Sequence, residues 1–154
     1  MANTGKNIGI GCIVIVAAII LGLMCLGSMA KEPTEVDVLV EAPLEVQQGE
    51  RFTIVARVRD LSDKRRELVD LDVADSYLAG IVIESSDPPF SDAMHVPVDN
   101  SLSYSFNLGI EAGGEVIVTF NAYAAHAGDH QGDIDFCIDG AISCLSYPVR
   151  TIVR

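Results

Sequence analysis

The chain has 154 residues, with 22 Asp or Glu against 10 Lys or Arg, for a formal net charge of −12. So acidic a surface excludes nucleic acid as a partner, because affinity for phosphates comes mainly from Lys and Arg. It also disfavours lying flat on anionic lipid; its ordinary consequence is solubility through self-repulsion, and a sharper one is attraction of divalent cations or of a basic partner.

Residues 1–7 read as a short cytoplasmic tail. Ile8 to Ala30 follows as a 23-residue apolar run without a charged side chain. About 20 apolar residues span a bilayer as a helix, so residues 8–30 are predicted to form a single transmembrane helix that acts as a signal anchor. Ser28-Met29-Ala30 offers small residues to a signal peptidase, and cleavage after Ala30 gives a competing, secreted form. Signal-peptide cores run about 7 to 15 residues, and this one is longer, which favours the uncleaved anchor. Met24 stands before Cys25 where a lipoprotein needs a small residue, and the run lacks the early Glu of a type IV pilin. Lys6 precedes the run while Glu32, Glu35 and Asp37 follow it, so the N-terminus is expected inside and the remainder outside. All 22 acidic and nine of the ten basic residues follow Ala30, leaving a 124-residue remainder with a charge of −13. That is the size of one domain with a real core.

Residues 31–35 form a linker, and 36–154 read as a domain of short strands. Val36, Val38 and Val40 alternate with Asp37, Leu39 and Glu41, the period-2 pattern of a half-buried strand. Phe52, Ile54, Ala56 and Val58 repeat it after the turn Gln47 to Glu50. Leu68 to Val73 and Gly80 to Glu84 supply two more, with a single helical turn near Asp75 to Leu78. Ser85 to Asn100 carries Pro88, Pro89 and Pro97, so it reads as a long loop or irregular edge. Leu102 to Leu108 and Val116 to Ala122 alternate cleanly about Gly113-Gly114. Gly128 to Gly132 reads as a turn. Ile134 to Ile138 and Ser143 to Val153 form a hairpin about Asp139-Gly140, a strong turn dipeptide. Seven to eight strands in this pattern make the fold class mainly β, an antiparallel β-sandwich.

Ala42-Pro43, then Gly49-Glu50 before Phe52-Thr53-Ile54, and later Ala127-Gly128-Asp129 carry a likeness. In this order they resemble the immunoglobulin-like domains of prokaryotic surface proteins, including the CARDB-like type. The resemblance covers most of Val36 to Val153, and implies adhesion, assembly or ligand presentation without catalytic residues. The chain departs from antibody-type domains: it has no Trp, and Cys137 and Cys144 sit in one hairpin.

Cys137 and Cys144, placed about an Asp-Gly, read as a hairpin disulfide and hence an oxidising, extracytoplasmic setting. Redox-active pairs usually have Cys-x-x-Cys spacing, which this pair lacks. His126, Asp129, His130, Asp133 and Asp135 put two imidazoles and three carboxylates within ten residues. Zinc would take the His pair with a carboxylate, and calcium the carboxylates with backbone oxygens. Against this stands a plain turn followed by solvent-facing strand residues. Lys64, Arg65 and Arg66 are the one basic patch on the acidic domain, a seat for an acidic partner or a solvated turn. Phe90, in the long loop, either meets a partner or caps the core. A copper site of the kind electron-transfer sandwiches use is excluded because no His follows Cys137 or Cys144 and no Met follows Met94, and no Gly-x-Ser-x-Gly elbow is present.

The expectation is a non-enzymatic, membrane-anchored binding or structural module outside the cytoplasmic membrane: adhesion, an envelope-complex accessory, or a scaffold. Its partner would be another envelope protein, met by surface complementarity or strand addition. A metal-binding or sensory module using the turn from His126 to Asp135 is the alternative, and the cleaved secreted form is the third.

Overall fold

Alternating side chains and the turns between them set ten strands. In chain order they are β1 Val36–Glu41, β2 Glu45–Val46, β3 Arg51–Asp60, β4 Arg66–Ala74, β5 Ile81–Asp87, β6 Asp92–Val96, β7 Ser101–Ile110, β8 Glu115–Ala124, β9 Gly128–Ile138 and β10 Cys144–Val153. One helical turn, α1, covers Asp75–Leu78. The computed structural model describes residues 32–154. The apolar run 8–30, and with it the expected membrane helix, lies outside the described residues. Among those described, no helix is long and apolar enough to cross a membrane.

The strands form two sheets. One has the order β1-β3-β8-β5, the other β2-β10-β9-β4-β7-β6. All pairings are antiparallel except β2 with β10. Eight strands match the sequence expectation, and the two extra ones are short edges. β2 holds only two residues, too few to show a period. β6 lies within the proline-bearing stretch, where its edge position leaves one side of its backbone without a ladder partner.

Between the sheets lies the core. Ile54, Ala56 and Val58 of β3 and Val118, Phe120 and Ala122 of β8 face Leu71, Val73, Tyr104, Phe106, Ile134 and Phe136, all buried. Tyr104 and Phe106 tilt against Phe120 with ring centroids 5.3 and 6.0 Å apart. Each buried side chain of this kind contributes about 1.5–3 kcal/mol. Tyr77 of α1 is buried as well; Thr151 donates to the Pro43 carbonyl (2.9 Å), so the Tyr77 hydroxyl donates to Thr151 Oγ1 (2.9 Å). Burial raises the Tyr77 phenol above its ordinary value, with the Thr151 hydrogen bond opposing.

The expected turn from Gly128 to Gly132 is instead the start of β9, paired with β10 from Gly128↔Val153 onward. Gly132 is there for a close approach. A Cβ on it would meet Ala74 Cβ and Ser76 Oγ at 2.8 Å, because α1 packs directly over this backbone.

A break in the alternation decides what the six-stranded sheet shows to solvent. On a regular strand Leu68, Asp70 and Asp72 would share a face. The register of β4 shifts between Leu68 and Asp70 against both β7 and β9, a bulge. Asn107 of β7, with φ 54°, sits at the same irregularity. Leu68, Leu71 and Val73 therefore reach the core, and Asp70 and Asp72 turn to the outer face.

Candidate functional site

The predicted disulfide is present: Cys137 and Cys144 are opposite in register, with Cα atoms 4.0 Å apart. It lies on the outer face of the six-stranded sheet, in the row Cys144–Cys137–Asp70–Ser105–Asp92. The neighbouring row is Ser146–Asp135–Asp72–Ser103–Met94.

The residues considered for a metal do not converge. Asp129 is held by Arg150 through two hydrogen bonds of 2.8 and 2.7 Å, and these hold its carboxyl below the usual range. His130 Nε2 is 2.8 Å from the His126 carbonyl oxygen, and its ring covers the bare Cα of Gly80. Asp133 is exposed opposite Pro148, while Asp135 lies opposite Asp72. Among the described residues, the group of metal-ligating side chains gathered within 4.8 Å is Asp72, Cys137 and Cys144. With the two sulfurs joined, neither is a thiolate, so Asp72 is the one anionic ligand of that set.

The basic trio is divided as well. Arg66 points inward: Nε donates to Asp60 Oδ1 (3.1 Å), Nη1 to Asp139 Oδ2 (3.0 Å) and Nη2 to the Thr34 carbonyl (2.8 Å). Asp60 is 1% exposed. Burial pushes its carboxyl up, but hydrogen bonds from Ser62, Gly113 and Arg66 outweigh that and hold it below the usual range. Arg65 is exposed and pairs with Glu111 at 3.5 Å, and Lys64 is exposed. Phe90 is half-buried against Tyr104, with centroids 5.1 Å apart, so it covers the core edge.

What the strands do assemble is an acidic recess on that outer face. Asp70, Asp72, Asp92 and Asp99 line it with Ser103 and Ser105, and its volume is about 370 Å³. Met94, Val96 and Val98 form one apolar wall, and Ala141 and Ile142 of the β9–β10 loop form another. Met94, Val98 and Ile142 are all exposed, Val98 at 84%. Asp70, by contrast, is 8% exposed, and its Oδ1 accepts from Ser105 Oγ at 2.7 Å.

The electrostatics are unrelieved. Burial raises the Asp72 carboxyl above the usual range, and Asp70, Asp135 and Asp99 add repulsion that the Ser103 hydroxyl offsets only in part. Asp72 Oδ1 and Asp135 Oδ1 are buried with no hydrogen-bond partner. Like charges directly opposite on neighbouring strands destabilise a sheet, and buried carboxylates are normally paired. An uncompensated cluster in a recess is a mark of a binding site.

Sequence reasoning missed these residues. Asp70 and Asp72 look like the polar half of an ordinary strand, and Asp92 and Asp99 like loop residues. The one available signal was Leu68-Val69 followed by Leu71, where the period-2 pattern slips by one.

No protein-family model matches the chain, and no curated protein matches it by sequence. Solved structures are similar in fold. The CARDB domain of a Pyrococcus furiosus protein, in complex with di-metal ions, has a TM-score of 0.50 at 13% identity over 77% of this chain and 87% of that one. A solution structure of the same domain gives 0.49 at 12% identity, covering 80% and 96%. The cupredoxin domain of an AmoB protein from Nitrosocaldus yellowstonii gives 0.48 at 11%, covering 80% and 89%. The described residues are a mainly β, two-sheet domain that resembles the CARDB-like immunoglobulin-like β-sandwiches.

Proposed function

We propose that this chain is a non-catalytic binding module, anchored by Ile8 to Ala30 in the cytoplasmic membrane with its sandwich outside, and that its recess contacts another envelope protein. The observation that supports this is the make-up of the recess. Its lining combines four carboxylates and exposed apolar side chains with Ser103 and Ser105, whose hydroxyls are bonded to Asp72 and Asp70 and have no histidine or lysine beside them in the lining. The disulfide agrees with an extracytoplasmic setting.

A photoreactive side chain placed at Val98 of the full chain in cells tests the reading. It is expected to give a discrete protein adduct in the membrane fraction, while the same probe at Ile117, exposed on the other sheet, gives none. Equal labelling at both positions, or a chain absent from the membrane fraction, refutes the proposal.

Cation binding is the second reading, supported by the facing Asp72 and Asp135 with one unpartnered oxygen each. A similar domain was solved with di-metal ions. A rise of several degrees in unfolding temperature with calcium or zinc, relative to chelator, would favour it.

A further inference from the structure

Reduction of the Cys137–Cys144 bond changes what that part of the outer face can hold. Both sulfurs and a carboxylate oxygen of Asp72 lie within 4.8 Å of one another, and Cys137 Sγ is 3.5 Å from Asp72 Oδ2. While the bond is intact the sulfurs carry no charge, and Asp72 Oδ1 is covered with no hydrogen-bond partner. Two thiolates and a carboxylate, by contrast, are a donor set for zinc.

The hairpin has its own fastenings apart from the bond. Ile138 N–H donates to the Ser143 carbonyl (2.9 Å), and Ser143 N–H to the Gly140 carbonyl (3.3 Å). At the turn, Asp139 N–H donates to the Glu67 carbonyl (2.9 Å). The Asp139 carboxylate accepts from Glu67 N–H (2.9 Å) and from Arg66 Nη1 (3.0 Å). Glu67 and Arg66 belong to β4, the strand that carries Asp72. The freed thiols therefore stay opposite each other, in the register Cys144↔Cys137, and beside Asp72.

The distances suit a metal. Facing Cβ atoms on antiparallel strands are about 4.5–5.5 Å apart. Zinc in a tetrahedral site holds each sulfur at about 2.3 Å, and so two sulfurs about 3.8 Å from one another. Side-chain rotation alone takes a facing pair from one arrangement to the other. Cys137 is buried, but Cys144 is partly exposed and gives an entering ion its route. Asp70, Asp135 and Asp99 act on Asp72 as like charges, and a bound dication turns that repulsion into attraction. Calcium takes oxygen ligands and is disfavoured by the sulfurs, whereas copper(I) takes the sulfurs and has no use for the carboxylate. Zinc accepts both.

We infer that the reduced chain binds one zinc ion through the thiolates of Cys137 and Cys144 and the carboxylate of Asp72, with water as the fourth ligand, and that the disulfide and the zinc exclude each other. The electrons come from a dithiol. It is oxidised to a disulfide and supplies the two electrons and two protons that convert the cystine to two thiols, and zinc then displaces those two protons. Exchange in the other direction, with an incoming disulfide as the oxidant, rejoins the sulfurs and expels the ion. This site is separate from the proposed partner contact, and it uses sulfur where the carboxylate pair Asp72 and Asp135 does not.

Zinc titration against a chromophoric chelator tests the inference on the full chain in non-ionic detergent. The chain carries C12S/C25S, so that Cys137 and Cys144 are the two remaining cysteines. It is compared oxidised and after reduction by a dithiol that is then removed without air. The reduced chain is expected to take up one zinc per chain and the oxidised chain none. Cobalt(II) in place of zinc gives thiolate-to-metal charge-transfer absorption, and saturating zinc slows re-formation of the disulfide. In the same background C144S weakens binding about a hundredfold and D72N about tenfold. Equal uptake by oxidised and reduced chains overturns the inference and assigns the ion to the facing carboxylates. Unchanged affinity in D72N overturns the three-ligand site and leaves a bare pair of sulfurs. A reduced chain that loses its β circular dichroism signal also overturns it, because the hairpin would then depend on the bond.

Discussion

Asp72 costs the fold stability, so replacing it should stabilise the protein while weakening the site. Asp72 faces Asp135 across β4 and β9, and Asp70 and Asp99 are near enough to raise its pKa further. Facing side chains on neighbouring strands lie about 5 Å apart. Two unit charges at that distance repel by about 3 kcal/mol at an effective dielectric of 20 and about 0.8 kcal/mol in water. Solvent reaches Asp72, so a screened value of about 1 kcal/mol is the working figure. Asp72→Asn removes the charge, keeps an oxygen for Ser103 and preserves side-chain volume. For a domain of this size, 1 kcal/mol is about 4 °C in Tm. The sign with pH follows from the raised folded pKa. The native state holds its proton to higher pH than the unfolded chain, so the penalty is full above the folded pKa and gone below the unfolded value. The gain from Asp72→Asn is therefore present at pH 7 and vanishes near pH 3, where Asp72 itself is protonated in the folded and the unfolded chain. Thermal unfolding of the full chain and variant in non-ionic detergent, at both pH values, measures it. A lower Tm for the variant at pH 7, or a gain that persists undiminished at pH 3, refutes the reasoning.

Three further outcomes follow from the same packing. Replacing Cys137 and Cys144 together by Ser should cost about 2.5 kcal/mol from the entropy of so short a loop, read as a lower urea midpoint. Arg66→Ala leaves the buried Asp60 without its cation and should cost about 3 kcal/mol. Asp60 has a lowered folded pKa, so its stabilisation is present above the unfolded value and lost as pH falls through the folded one. The acid-unfolding midpoint of Arg66→Ala is accordingly expected at higher pH than that of the parent chain. Gly132→Ala forces α1 away from β9 and should destabilise by about 1–3 kcal/mol in chemical denaturation; a neutral result would show that the helix yields freely.

The strands were legible because half-buried sheets impose a period of two. β1, β3 and β8 keep it through their whole length, and the core side chains are those the period selects. The disulfide was legible because Asp139-Gly140 fixes a hairpin with two Cys across it. The recess was not, because it depends on pairings distant in sequence. Asp72 meets Asp135 and Ser103 only once three strands are in register. The bulge that turns Asp70 outward is a slip of one residue, which a periodic reading smooths over. The histidine-bearing segment misled for the opposite reason. Its ligands are close in sequence, yet strand β9 sends successive side chains to opposite faces, and Arg150 takes Asp129.

Ala141 and Ile142 belong to the loop that the Cys137–Cys144 bond closes, and the bond itself stands in the same row as Asp70. One wall of the recess is therefore covalently tied to its floor. With the bond reduced, hairpin contacts alone would hold Ala141 and Ile142 in place. The redox state of one cystine therefore sets how firmly the apolar side of the recess stands over its acidic side.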